Sequence, residues 1–336
     1  MTADINLYPK ILKLYGVYDY SPTDEDALPL FPESRQSDIE IAARRLLSRP
    51  LSIIPEPVFL AVTKMLKAAL QKGHKKPLSA DHLIERIIKG RSVPYKGLWF
   101  SRPRPLVLTH DVDLNACFEN IEKVASIENR LGICSTWHFL TNGRYKLKRA
   151  ILNDLAASGH EIGLHGVWHD IALGFRSPSF QTEMIKEGLH ELAEYKPISF
   201  RAPGLAWTPL LSKILADCGL RADSSLKTYN SGWNIFRPMP VDDGRLWELP
   251  LTLQDDYLFK NLRLGEKDAK LLLLETLDET DKRQAPAVLN FHPSIIKDRL
   301  DWYKGMLERI LDSGRWKILK VSDIIKQLDE AWREVQ

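Results

Sequence analysis

From about residue 103 onward, short apolar runs alternate with longer amphipathic stretches, and this alternation restricts the fold more than any other feature of the chain. Runs at 106–109, 134–140, 161–164, 198–200, 220–222, 247–250, 287–291 and 316–319 read as strands. Helical stretches fall between and after them, at 115–130, 147–157, 181–194, 209–218, 266–277, 300–313 and 322–333. Several are closed by a glycine, such as Gly159, Gly219 and Gly314. Repeated strand–helix units of this length predict a parallel sheet, closed or nearly closed into a barrel. The chain has 336 residues, 44% of them hydrophobic and 27% charged, enough for one large core or two domains.

Residues 1–102 follow a different pattern. Prolines at 9, 22, 29, 32, 50, 55, 57, 77 and 94 interrupt them, and strands do not alternate with helices. Helices are expected near 37–48, 56–71 and 80–89, the last after Ser79 as N-cap. The boundary is therefore set at 102/103, with a mainly helical N-terminal extension ahead of a barrel domain at 103–336. Between Val58 and Leu70 an apolar stripe runs with Lys64 and Lys67 among it. Packing on the barrel is the main reading of that stripe, and attachment to a membrane surface is the lesser one.

Polar residues cluster where the strands end. The run Leu106-Val107-Leu108-Thr109 opens into His110-Asp111-Val112-Asp113. Two carboxylates this close stay ionised only beside a cation or strong donors, although a helix N-cap would also explain an Asp here. His165 and His169 follow the strand at 161–164 with a spacing that can chelate a metal on one helical turn. Arg201-Ala202-Pro203-Gly204, Asp223-Ser224-Ser225 and His292-Pro293 each follow another strand. Any one could be structural, but ionisable groups at the same end of successive parallel strands form the active-site end of an α/β barrel.

The order T-x-D, H-x-x-x-H, R-x-P, D-S and L-x-x-H-P resembles the polysaccharide deacetylases of the NodB-like carbohydrate esterase fold. Leu155-Ala156-Ala157-Ser158-Gly159-His160-Glu161-Ile162-Gly163-Leu164-His165 is similar to that family's approach to its histidine motif, and Ser135-Thr136-Trp137-His138-Phe139 to its second strand. The resemblance spans roughly residues 104–325. It implies a distorted or incomplete (β/α)7-type barrel with one divalent metal ion, usually zinc. Carried over, it makes Asp111 the general base and Asp113, His165 and His169 the metal ligands. Arg201 would hold Asp111, the Gly204 N–H would face the oxyanion, Asp223 would orient the acid, His292 would be that acid, and Leu289 and Phe291 would wall the acyl pocket. Two departures stand out. Val112 occupies the usual position of the metal-binding Asp, and Gly166 replaces a Ser or Thr after the first histidine. His110, His138 and His160 read as structural or supporting.

The function expected from this resemblance is metal-dependent hydrolysis of an N-acyl group, most simply acetyl, from a sugar. Met1–Asn6 lack a basic region leading into an apolar core, so no export signal is read there. Three cysteines without a pairing motif suit a reducing compartment. The expected setting is cytoplasmic, with a nucleotide-linked or lipid-linked sugar of surface polysaccharide biosynthesis as substrate. A net charge of +3 gives no reason to expect nucleic acid as partner. Other readings are a deformylase of a lipid-linked amino sugar, a metal-free ureide hydrolase, and an inactive carbohydrate-binding barrel.

Overall fold

A computed structural model describes residues 7–18, 38–47, 81, 84–86, 97–229 and 235–336. Ten strands form one sheet: β1 Arg104–Val112, β2 Thr136–Leu140, β3 Glu161–Gly166, β4 Ser199–Phe200, β5 Ala222–Asp223, β6 Met239–Val241, β7 Leu246–Glu248, β8 Leu253–Gln254, β9 Ala287–Phe291 and β10 Trp316–Leu319. Their order is β6-β7-β5-β4-β3-β2-β1-β9-β8, with β10 also paired to β1. Every pairing is parallel except that of β6 with β7.

The ring closes through one irregular stretch. In the run 246–254, β7 pairs with β5 and β8 pairs with β9. Between them, Leu251 N–H donates to the Leu226 carbonyl at 2.7 Å and Thr252 N–H to the Val288 carbonyl at 2.8 Å. A walk from β5 through β4, β3, β2, β1 and β9 thus returns to β5 through this single segment. That is a (β/α)7-type barrel with one distorted stave.

Both faces of the sheet are buried, and they differ in chemistry. Leu106, Leu108, Leu289 and Phe291 belong to the cluster between sheet and helices. Val107, Val288, Ala222 and Trp247 point the other way, into a second apolar cluster inside the ring. That inner cluster is continuous with Tyr8, Ile11, Leu12 and Tyr15 of the N-terminal segment and with Ile324, Ile325, Leu328 and Trp332 near the C-terminus. The N-terminal residues recur at i, i+3, i+4 and i+7, one stripe of the helix Leu7–Leu14 and the turn after it.

Most predicted elements form, with local differences. The helix expected over 115–130 breaks into Asn115–Phe118 and Ile121–Arg130. Asn120 Nδ2 donates to the Ala116 carbonyl at 2.8 Å, a local side-chain bond that competes with the helix ladder. Strands β6 and β8, of three and two residues, were too short to carry a period. The helix near 37–48 is present as Asp38–Leu47. The stripe 58–70 lies outside the described residues, as does most of 80–89. Among the described residues no helix is long and apolar enough to cross a membrane.

A buried ion pair ties the N-terminal segment to the barrel. Asp81 accepts from the Arg237 backbone N–H at 3.1 Å and from Arg237 Nη1 at 2.5 Å, and both residues are inaccessible to solvent. Arg237 Nη1 also meets Glu85 at 2.8 Å. Removing one partner of such a pair strands the other charge in a low dielectric. We expect Asp81→Ala to destabilise the full chain by about 3–5 kcal/mol in denaturant unfolding. A loss below about 1 kcal/mol would mean that Glu85 alone neutralises Arg237.

Candidate functional site

The C-terminal end of β1 delivers Thr109, Asp111 and Asp113 to the inside of the ring, because alternate strand residues share a face. Each oxygen of Asp111 accepts a hydrogen bond, Oδ1 from Arg201 Nη1 at 3.0 Å and Oδ2 from Asn290 Nδ2 at 2.8 Å. Burial alone would raise the Asp111 pKa. The Arg201 guanidinium, with His165 and His138 nearby, outweighs it and holds the carboxyl well below the usual range. Asp111 is therefore an ionised carboxylate in a nearly dry site.

Asp113, His165 and His169 meet beside it. Their ligand atoms lie within 4.8 Å of one another. His165 Nε2 is 3.0 Å from Asp113 Oδ1, and His169 Nε2 is 3.7 Å from Asp113 Oδ2. The other ring nitrogen of His165, Nδ1, lies 2.7 Å from the Arg201 carbonyl, which can only accept. In a neutral ring Nδ1 then carries the proton, and the Nε2 lone pair faces a carboxylate oxygen. Two acceptors at that distance repel unless a proton on Nε2 or a metal cation lies between them. Apart from the His165 ring, Asp113 Oδ1 is buried without a hydrogen-bond partner, as a ligand oxygen would be. Two imidazoles and one carboxylate fit a catalytic zinc-type site with open positions.

The histidine pair is not on a helix. His165 is the penultimate residue of β3, and His169 lies just past the bend that follows the strand. Gly166 has φ +121°, which a side chain at this position would not tolerate without strain. That explains why a glycine replaces the Ser or Thr of the resembled pattern. The capping reading of Asp113 also falls away, since Leu114 occupies the N-cap of Asn115–Phe118 and no side chain caps that helix.

His292 closes the site from β9. Its Nε2 is 3.5 Å from Asp113 Oδ2. Asp255 grips it twice, through the backbone N–H at 2.7 Å and through Nδ1 at 2.6 Å. Burial would lower the imidazole pKa, but Asp255 and Asp113 raise it well above its ordinary value. Gly204 sits at φ +58° in the turn Pro203–Leu205, directly after Arg201 and Ala202.

Three sequence expectations need correction. Asp223 does not touch His292; its oxygens accept from Ser225 Oγ and from Ser212 Oγ, the latter at 3.3 Å on the helix Pro209–Asp217 outside the sheet. Asp255 holds the histidine instead. Leu289 and Phe291 do not face the site, because Asn290 between them does. Phe291 packs on Tyr303 and Trp302, with centroids 5.1 and 6.3 Å away, on the helical side. The sequence offers signals for both Asn290 and Asp255. Asn290 is a polar residue inside an apolar strand, and Asp255-Asp256 directly follow β8.

His110 stands behind the site as expected of a supporting residue. Its Nε2 lies 2.6 Å from Glu128 Oε1, its Nδ1 3.1 Å from the Phe291 carbonyl, and its ring stacks on Trp137 at 4.0 Å. His138 is buried 3.6 Å from Asp111, and burial pushes its pKa down to about 4, so it is neutral at pH 7. His160 Nδ1 accepts from the Ser135 backbone N–H at 3.1 Å.

Residues 101–222 match the family model described as polysaccharide deacetylase. No curated protein matches the chain. Among solved structures, a candidate polysaccharide deacetylase from Mycobacterium smegmatis is 19% identical, covering 68% of this chain and 91% of its own, with a TM-score of 0.57. PuuE allantoinase is 14% identical over 70% of this chain and 94% of its own, with a TM-score of 0.56. A candidate polysaccharide deacetylase from Pseudomonas aeruginosa PAO1 is 13% identical over 66% and 90%, at 0.54. At these identities the likeness is one of fold.

Behind the sheet, Asp223 of β5 and Glu248 of β7 are register partners, both fully buried. Burial pushes Asp223 up to about 6. Burial and the facing Asp223 charge push Glu248 well above the carboxylate range. Both hold protons more tightly when folded, so stability is fully present below the unfolded values and falls as pH rises through the folded ones. The thermal midpoint should therefore begin to drop as pH rises through about 6 and keep dropping above it. Glu248→Gln removes one titrating group and the like charge, and the drop should shrink. An equal drop in both proteins would exclude the pair as its source.

Proposed function

We propose, on the match of residues 101–222 to the polysaccharide deacetylase family model, that this chain removes an N-acyl group, most simply acetyl, from a sugar with the help of a divalent metal ion. The observation that carries the reading is the juxtaposition of an ionised Asp111 with the Asp113–His165–His169 cluster and with His292. Zinc or a similar ion held by Asp113, His165 and His169 would supply Lewis-acid polarisation of the acyl carbonyl and of water.

The remaining roles belong to side chains. Asp111 accepts the proton of the attacking water, and Arg201 and Asn290 keep it ionised and oriented for that task. His292, kept protonated by Asp255, gives a proton to the departing amine. The N–H of Gly204 is the backbone donor assigned to the developing oxyanion. A nucleotide-linked or lipid-linked sugar intermediate of surface polysaccharide synthesis, handled in the cytoplasm, is the proposed substrate. The three free cysteines support that compartment.

Metal analysis and acetate release from N-acetyl sugars test the proposal together. The purified chain should hold about one zinc-like ion, and His165→Ala should lose most of it. Asp111→Asn should keep the ion but lose turnover by on the order of a hundredfold, whereas Asp113→Asn should weaken the ion itself. The opposite pattern would reverse the assignment of the two carboxylates. Full activity in chelated protein would sink the metal role and leave a metal-free amidohydrolase. For the acid, Asp255→Asn should cut turnover by about ten- to a hundredfold with the ion retained.

A further inference from the structure

The helix Asp38–Leu47 precedes the barrel in sequence, yet it grips the loop that carries a metal-ligand candidate. Arg44 Nη1 donates to the Ile171 carbonyl at 3.0 Å, and Arg45 Nη2 donates to the Phe175 carbonyl at 2.5 Å. The Arg44 guanidinium also lies over the Phe175 ring, 5.7 Å from its centroid, and Glu40 one turn earlier stands 3.5 Å from Arg44 Nε. The two carbonyls bracket the loop 171–175, which begins two residues after His169.

The other side of this loop rests on the turn after Arg201. A Cβ on Gly204 would lie 2.8 Å from Ile171 Cγ2, and one on Gly174 would lie 2.1 Å from the Ala206 carbonyl oxygen. Backbone and side chain are thus in closest approach at both points. Thr208 Oγ1 adds a bond to the Gly174 carbonyl at 3.0 Å. The loop is therefore wedged between the N-terminal helix and the segment 203–208.

The three ligand candidates do not depend on this wedge equally. Asp113 follows β1 directly, and His165 lies within β3 with its ring fixed by the Arg201 carbonyl. His169 has no strand beneath it, and its side chain is 27% exposed against 2% for His165. Its position is inherited from the loop.

We infer that Arg44 and Arg45 are positioning residues for His169 and for the Gly204 turn, acting through the loop 171–175. The N-terminal segment is then a working part of the site. The ligand half of this inference rests on the metal reading above; the brace itself does not.

The experiment uses the full chain and three variants, Arg44→Ala, Arg44→Lys and Arg45→Ala. Amide hydrogen exchange reads the loop directly, and zinc competition against a chromogenic chelator reads the ligand. Arg44→Ala should speed exchange in peptides covering 168–176 and 202–206 by about tenfold while leaving 121–130 unchanged. It should weaken zinc binding by about tenfold, the lower end for residues that orient a ligand. Arg44→Lys keeps the charge and one donor and should recover part of both effects. If Arg44→Ala fails to fold, Arg45→Ala carries the same reading with a smaller change. Wild-type exchange across 168–176 in the folded variants overturns the inference. Faster exchange with unchanged zinc affinity overturns the ligand half alone. Absence of zinc binding in the wild type defeats the metal reading, and the exchange data still decide the brace.

Discussion

The guanidinium of Arg201 is the interaction on which the site depends. It is fully buried, so its desolvation must be met by directed bonds. Nη1 reaches Thr109 Oγ1 at 2.8 Å and Asp111 at 3.0 Å, Nε reaches the Ser224 carbonyl at 2.9 Å, and Nη2 reaches Ser224 Oγ at 2.9 Å. Its own carbonyl takes the His165 ring, and its N–H meets the Leu164 carbonyl at 3.1 Å. One residue after β4 thereby links β1, β3 and the end of β5. The fork geometry of arginine makes this possible; a lysine would supply one point of charge where four bonds are needed. Asp111 and His165 are held in one frame, and their separation does not rely on loop conformation.

That frame explains how the interior is divided. Inside the ring the lower layer is apolar, with Val107, Val288, Ala222 and Trp247, and it is closed by the N-terminal stripe. Above it come Thr109, Asp111, Asn290, Arg201 and Ser224, each satisfied by another. Burying such a polar layer is tolerable only because nearly every donor finds an acceptor. The exceptions are informative. Asp113 Oδ1 has only the His165 ring beside it, and both ring nitrogens of His138, 3.6 Å from Asp111, lack hydrogen-bond partners.

Much of this was legible in the sequence. The βα alternation, the strand-end position of the ionisable groups, and the grouping of Asp111, Asp113, His165, Arg201 and His292 all follow from periodicity and motif order. Strands such as β4, β5 and β8 have two residues each, and their inward face cannot be read from a period of two. Ring closure through 246–254 was hidden for the same reason. The grip of Arg44 on Ile171 joins residues far apart in the chain, and no local pattern announces such a contact.

The error over Asp223 shows why the face of a strand decides chemistry. Asp111 and Asp223 are both buried aspartates at the ends of parallel strands of one sheet, β1 and β5. Asp111 faces inward, where Arg201, His165 and His138 favour the ionised form. Asp223 faces outward among Ser212, Ser225 and Glu248, where uncharged donors and a second carboxyl leave desolvation uncompensated. One residue type therefore ends up as a carboxylate fit to accept a proton and as an acid that holds one. The outer acid still supports the site, because Ser225, bonded to Asp223, accepts from the Ala202 N–H at 2.8 Å and so fixes the start of the Gly204 turn. Chemistry at the mouth of this barrel thus draws on both faces of the sheet, with charge kept on the inner one.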